Sequence, residues 1–176
     1  MEEKHSGRTI SRNQLIKGLI EDYAQQVKRL AFTYVRNWAV ADDITQEVFI
    51  SCYNNIERFR GESSYKTWIL KITVNRCKDY LKSKWYKSVL PLDWSSERVP
   101  SVENLDTILI QKHEEEEISK VVLSLPLKYR EMIILFYYQD LSVDEINGLT
   151  GIKKETVKTR LRRAKTKFRE LYEGDD

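Results

Sequence analysis

The sequence predicts an all-α protein of two small helical domains joined by a flexible linker. Three observations carry that reading. Breakers are scarce, with 6 Gly and 3 Pro among 176 residues, while Lys, Glu, Leu and Ile, which suit helices, are abundant. Apolar residues recur every three or four positions through most of the chain. The pattern then breaks once, between 88 and 106, where Pro91, Asp93, Ser95, Ser96, Pro100 and Ser101 cluster. Hydrophobic residues make up 41% of the chain, enough to fill compact helical cores rather than leave a disordered chain.

The periodicity predicts helices over about 12–37, 39–57 and 64–87. In the second, Ile44, Val48, Cys52 and Ile56 recur every four residues, and Phe49 and Tyr53 widen the stripe. The first domain is therefore 12–87, the acidic linker 88–106 and the second domain 107–173. The second domain opens with a helix from about 107 to Leu123. Pro126 then fits the first turn of a helix over 126–138, where its missing N–H costs nothing. Ser142 and Glu145 form a capping box for a short helix ending near Leu149. Thr150-Gly151 makes a turn, and a last helix starts near Lys153. Val157, Leu161, Ala164, Phe168 and Leu171 give that helix one buried stripe. No apolar seam between the domains is evident, so they are expected to move independently. Cys52 and Cys77 both fall inside helical patterns and read as buried thiols, not a disulfide.

Charge is unevenly spread. Residues 1–87 hold 16 basic and 10 acidic side chains, 88–106 hold 1 and 4, 107–152 hold 4 and 8, and 153–176 hold 9 and 5. Two basic ends around an acidic middle suggest two contacts with a polyanion. No signal-like or membrane-length apolar run occurs, which points to a soluble, cytoplasmic protein without membrane insertion. His5 and His113 belong to no paired ligand motif, and Glu114–Glu117 reads as a solvated helix start. With no P-loop or nucleophile elbow, the chain is not expected to be an enzyme or to need a metal or cofactor.

The two basic blocks differ in kind. Residues 153–169 hold nine basic side chains opposed only by Glu155, on the second helix of a helix-turn-helix. Lys158, Thr159, Arg162 and Arg163 are the side chains expected to face duplex DNA. Residues 58–87 also hold nine, but beside Phe59, Tyr65, Trp68, Tyr80, Trp85 and Tyr86. Aromatics next to Lys and Arg suit unstacked bases, each stacked base gaining about 1–3 kcal/mol. The same aromatics, at helical spacing, also suit a plain core. Asn75 can donate and accept toward a base edge. Asp42 and Asp43 open the second helix, where negative charge suits the helix dipole, and that by itself accounts for these two residues. Asp43, Gln46, Glu47, Ile50 and Asn54 leave an acidic face off the apolar stripe, which would fit a basic protein partner.

These residues resemble a known family. DDITQEVF (42–49) is similar to the acidic helix of region 2 of the bacterial RNA polymerase sigma factors. FRGESSYKTWILKITVNRCKDYLK (59–82) resembles that region's strand-reading part, and 125–170 resembles region 4, most closely in TVKTRLRRA (156–164). Regions 1.1 and 3 of the larger sigma factors have no counterpart in the sequence, which points to the extracytoplasmic-function group. The resemblance implies that Asp42, Asp43, Gln46 and Glu47 dock on the polymerase β′ coiled coil, with further contact to the β subunit. It implies that Arg58, Phe59, Arg60, Gly61, Glu62, Ser63 and Ser64 pocket a base of the melted minus-ten element, and that Trp68, Asn75 and Arg76 read that element. It gives the minus-thirty-five element to Lys154, Glu155, Lys158, Thr159, Arg162 and Arg163, and the polymerase RNA channel to the linker. It also implies an anti-sigma factor as inhibitor. Two residues depart from the pattern: Asn147 and Thr73 stand where the family usually has Ala. Asn147 either loosens the helix-turn-helix or points outward. A stand-alone helix-turn-helix regulator of duplex DNA is the alternative reading, and it gives the 42–49 face no purpose.

Overall fold

The computed structural model describes residues 11–83 and 113–173, with side chains in the second stretch from Glu117 onward. Every regular element among them is helical. The linker, Trp85, Tyr86, His5 and the expected helical turn before His113 lie outside the described residues.

Helix α1 (Arg12–Val35) starts at Ser11, whose hydroxyl accepts from the Gln14 N–H while the Gln14 side chain accepts from the Ser11 N–H. Two free donors are thereby satisfied reciprocally. Its inner face is Ile16, Leu19, Val27, Leu30, Ala31 and Tyr34. The helix closes on Arg36 in the left-handed region, whose N–H donates to the Phe32 carbonyl. Asn37 then caps α2 (Trp38–Asn55), and the Phe32 and Trp38 rings stack across the corner at 3.8 Å. A 3-10 turn (Ile56–Arg58) and a loop lead to α3 (Tyr65–Lys82). These helices bury Val27, Val48, Cys52, Leu70, Val74 and Cys77. Both thiols are free, and burial pushes each up to about 12, so they are protonated and inert at neutral pH. Thr73 is fully buried, and its hydroxyl donates to the Ile69 carbonyl, so no polar atom is stranded.

The second group contains α4 (His113–Ser124), α5 (Leu127–Ile133), α6 (Val143–Thr150) and α7 (Lys154–Glu173). Pro126 caps α5 from just outside it, one residue earlier than expected. The continuation is not α-helical: Ile134–Tyr138 widen into a π-helical turn, with the Gln139 N–H on the Ile134 carbonyl. Leu125, Met132, Leu135, Ile146, Val157 and Ala164 form the core. The expected stripe of α7 holds through Ala164, then loosens. Phe168 is half-buried and stacks on Tyr172, and Leu171 is exposed. Tyr53 likewise leaves the α2 stripe, its ring instead covered by the Arg12 guanidinium at 4.0 Å.

The two groups pack against each other, α3 on α6 and α1 on α5, contrary to the expected independence. The reason is visible in the seam, whose buried contacts are polar as well as apolar. Glu131, 5% exposed, accepts from the Tyr34 hydroxyl at 2.7 Å and pairs with Lys78 at 3.0 Å. Arg130 donates through Nε to the Thr33 carbonyl at 2.7 Å and through Nη1 to the carbonyls of Leu123 and Leu125. Lys66 donates to the Gln139 carbonyl at 2.7 Å, and Gln26 donates to the Gln139 side chain. Burial, then the adjacent Glu131 carboxylate, holds the Tyr34 phenol well above its usual range. A search for apolar stripes passes over such a seam.

Candidate nucleic-acid and polymerase interfaces

Three surfaces arise from this frame. On α2, the buried residues Ala41, Ile44, Val48 and Cys52 fix the opposite face toward solvent. Asp43, Gln46, Glu47, Ile50 and Asn54 share that exposed ridge. Ile50 is 61% exposed at its centre, an apolar residue flanked by carboxylates. Asp42 does not join them fully. Its carboxylate holds Lys28 at 2.7 Å, and Lys28 also sits over the Trp38 ring. The helix begins at Trp38, so Asp42 and Asp43 lie past the first turn, where the dipole has little effect. Dipole complementarity therefore does not account for this acidic face.

The second surface is the 58–64 loop with α3. Gly61 takes φ +71, a left-handed conformation in which a side chain is strained. Ser64 ends the loop by capping α3, accepting from the Thr67 N–H at 3.1 Å. Phe59 lies between Tyr65 at 4.5 Å and Trp68 at 5.2 Å. Arg58, Phe59, Arg60, Glu62, Ser63, Thr67, Trp68 and Lys71 line one side of a cleft of about 540 Å³. Asn75 and Arg76 are exposed further along α3, Asn75 one turn beyond Lys71. Thr67 and Lys71 were not singled out from sequence. Their i, i+4 spacing ahead of Asn75 is the signal that finds them. Tyr80 is only half-buried and stands as part of the helix packing.

The third surface is the helix-turn-helix. Ser142 and Glu145 complete the expected capping box, at 2.8 Å and 3.2 Å. Hydrogen bonds from the Ser142 N–H and hydroxyl hold the Glu145 carboxyl below its usual range, with Lys66 of α3 adding to the effect. Gly151 adopts φ +74 and closes α6. Asn147 points inward: its amide donates to the Ile152 carbonyl at 2.8 Å, while the Ile152 N–H is taken by the Thr150 hydroxyl. The amide thus ties the turn together. With Val157, Leu161 and Ala164 buried, Glu155, Lys158, Thr159, Arg162 and Arg163 are all exposed, on the opposite side of α7. Lys158 pairs with Glu155 at 3.0 Å. Lys154 lies at the edge of this face, paired with Asp144 of α6. Thr166, one turn past Arg162, extends the face and was not foreseen.

No group of three His, Cys, Asp or Glu side chains suited to a metal occurs among the described residues. None of their helices is long and apolar enough to cross a membrane.

An exposed acidic ridge, an aromatic-lined cleft beside basic residues and a basic recognition helix on one chain define a promoter-recognition protein. Residues 19–86 match the family model for sigma-70 region 2, and 115–168 match that for sigma-70 region 4. Among curated relatives, the RNA polymerase sigma factor SigV of Bacillus subtilis is 33% identical over 150 residues, covering 85% of this chain and 86% of the relative. The ECF sigma-E factor of Escherichia coli is 28% identical over 155 residues, covering 84% and 81%. Among solved structures, RpoE of Bartonella quintana, in complex with the anti-sigma factor NepR, aligns with a TM-score of 0.73 at 19% identity, covering 93% of this chain and 99% of that one. CnrH, in complex with the cytosolic domain of CnrY, aligns at 0.65 and 17%, covering 93% and 91%. The chain belongs to the sigma-70 family of RNA polymerase sigma factors, in its extracytoplasmic-function group. It is an alternative sigma factor that directs promoter-specific initiation by core RNA polymerase.

Proposed function

We propose that the three surfaces divide the work of initiation. Asp43, Gln46 and Glu47, around Ile50, dock on the β′ coiled coil of core polymerase, with Asp42 steadying the helix through Lys28. The loop Arg58–Ser64 pockets an unstacked base of the non-template strand, with Phe59 and Trp68 as the aromatic surface, while Asn75 and Arg76 read the neighbouring positions. Lys154, Glu155, Lys158, Thr159, Arg162 and Arg163 contact the upstream minus-thirty-five duplex. The functional domains are 12–87 and 107–173. The linker 88–106 passes through the RNA channel, and core polymerase is contacted through its β subunit as well as the β′ coiled coil. The protein works in the cytoplasm, in a stress or envelope response, and catalyses no reaction itself.

The observation that carries this reading is the exposed Asp43–Glu47 ridge, off the core stripe and beyond the reach of the helix dipole. A regulator that binds duplex DNA alone has no use for it. The test is run-off transcription with core polymerase on a broad promoter library. Specific transcripts should appear without ATP hydrolysis, and their absence would overturn the proposal. We further propose that a protein inhibitor holds the chain until it is needed. The solved relatives bound to NepR and CnrY support this. Purification from unstressed host cells should recover a third protein besides core polymerase.

A further inference from the structure

A second cleft lies where the exposed face of α7 runs toward its C-terminal half. Tyr129 of α5 meets that half of α7 across a space of about 450 Å³, lined further by Arg162, Arg163, Thr166, Lys167 and Glu170. Tyr129 is only 7% exposed, and its ring belongs to the core. Its hydroxyl nevertheless bonds to no other described residue. A phenol set this deep is normally matched by an acceptor, and the cleft is the side from which one can come. We propose that the cleft seats a phosphate of the duplex backbone, beside the stretch contacted by Lys158 and Thr159, with the Tyr129 hydroxyl, Thr166 and Lys167 as its donors. This rests on the reading of α7 as the helix that contacts the minus-thirty-five duplex.

The charges suit an anion. Arg162, Arg163 and Lys167 make no ion pair among the described residues, whereas Lys154 and Lys158 are already paired with Asp144 and Glu155. Against these three cations the lining holds one carboxylate, Glu170. Lys128 sits over the Tyr129 ring at 5.2 Å and adds to the positive field. The Thr166 hydroxyl donates to the Arg162 carbonyl at 3.3 Å, a long bond whose proton is readily redirected. A free anion gains little from exposed cations at an open cleft. A phosphate carried by a duplex already held at Lys158 and Thr159 arrives instead at high effective concentration. Arg162 and Arg163 belong to both the reading face and the cleft, so one strand can pass from one to the other. A phosphate contact fixes register rather than sequence, so the seat sets where the recognition helix stops along the groove.

Two variants test it. Tyr129→Phe keeps the ring in the core and removes only the hydroxyl. Lys167→Met removes one charge from an exposed position. Circular dichroism melts check the fold of both. Each is assembled with core polymerase and bound to a promoter fragment recovered by run-off transcription. Ethylation interference then maps the backbone phosphates that matter. With the native chain, ethylating one phosphate at the edge of the upstream element should weaken binding. In both variants the same lesion should be silent. Tyr129→Phe should weaken binding about tenfold, equally on fragments whose upstream sequence is altered. Lys167→Met should also lower the slope of log affinity against log salt by about one.

An interference pattern shared by the native chain and both variants overturns the seat. Inorganic phosphate titrated into the full chain tests the other source of the same chemistry. Saturable binding that Lys167→Met abolishes, alongside an unchanged interference pattern, gives the cleft to a free anion and overturns the duplex assignment. Lys158→Ala keeps the two readings apart. If it weakens upstream recognition while the cleft variants change nothing, the seat alone fails. If Lys158→Ala is silent too, the reading of α7 as the duplex helix is what fails, and the seat falls with it.

Discussion

Gly148 and Gly151 lie three residues apart, and a Cβ placed on either meets nothing within 4 Å. Space alone predicts the same outcome for both on substitution by Ala. Backbone geometry predicts opposite outcomes. Gly148 is inside α6, where Ala is favoured over Gly by about 0.8–1.0 kcal/mol. Gly151 is at φ +74, where a side chain costs about 1–2 kcal/mol. Restricting the unfolded chain returns about 0.4–1 kcal/mol of that, leaving a net loss near 1 kcal/mol. For a chain of this length, 1 kcal/mol moves Tm by about 2–4 °C. Gly148→Ala should therefore raise Tm by about 2–4 °C and Gly151→Ala lower it by a similar amount. Urea melts with unchanged slope would show that stability, not compactness, has moved. Shifts of the same sign would refute the argument, because they would mean that contact rather than conformation governs this turn.

Other outcomes follow from the same geometry. Asp43→Lys with Glu47→Lys should abolish capture of core polymerase while changing stability by less than about 0.5 kcal/mol, since both side chains are exposed; pull-down with circular dichroism decides it. Arg163→Ala should weaken recognition of the upstream duplex by about 1–3 kcal/mol, and Asn75→Ala should impair opening near the start site instead. Permanganate footprinting separates the two, and identical defects would count against distinct surfaces. The Glu145 carboxyl is held below its usual range in the folded chain, so its contribution is present above the unfolded value of about 4.3 and is lost as pH falls through the folded one. Glu145→Gln should make acid unfolding below about pH 4.3 less steep.

The helices and caps were legible because their causes are local. Ser142 with Glu145, Gly151 and the Val157–Leu161–Ala164 stripe each act within a few residues. The acidic ridge was legible too, because the buried stripe of α2 fixes its opposite face. Three features were not. The π-helical turn at Ile134–Tyr138 lies in a run of five apolar and aromatic residues with no Gly or Pro to mark it. The inward Asn147 amide depends on where the Ile152 carbonyl lies after the turn. The seam depends on Glu131 meeting Tyr34 and Lys78, residues 97 and 53 positions away. Charged side chains are seldom buried unless paired, so Arg130 and Glu131 carry no local sign of a seam. Only the fold shows that they face another helix group.

Ser64 is both the last residue of the loop proposed to pocket a base and the cap of α3. Replacing such a cap by Ala costs about 0.5–2 kcal/mol. Arg58, Arg60, Glu62 and Ser63 are exposed and cap no helix, so their chemistry can change at little risk to folding, whereas Gly61 is held by its backbone and Phe59 by its neighbouring rings. At Ser64 that freedom stops. A change there is felt by the helix that carries Trp68 and Asn75, so two neighbouring serines, joined by a single peptide bond, answer to different constraints.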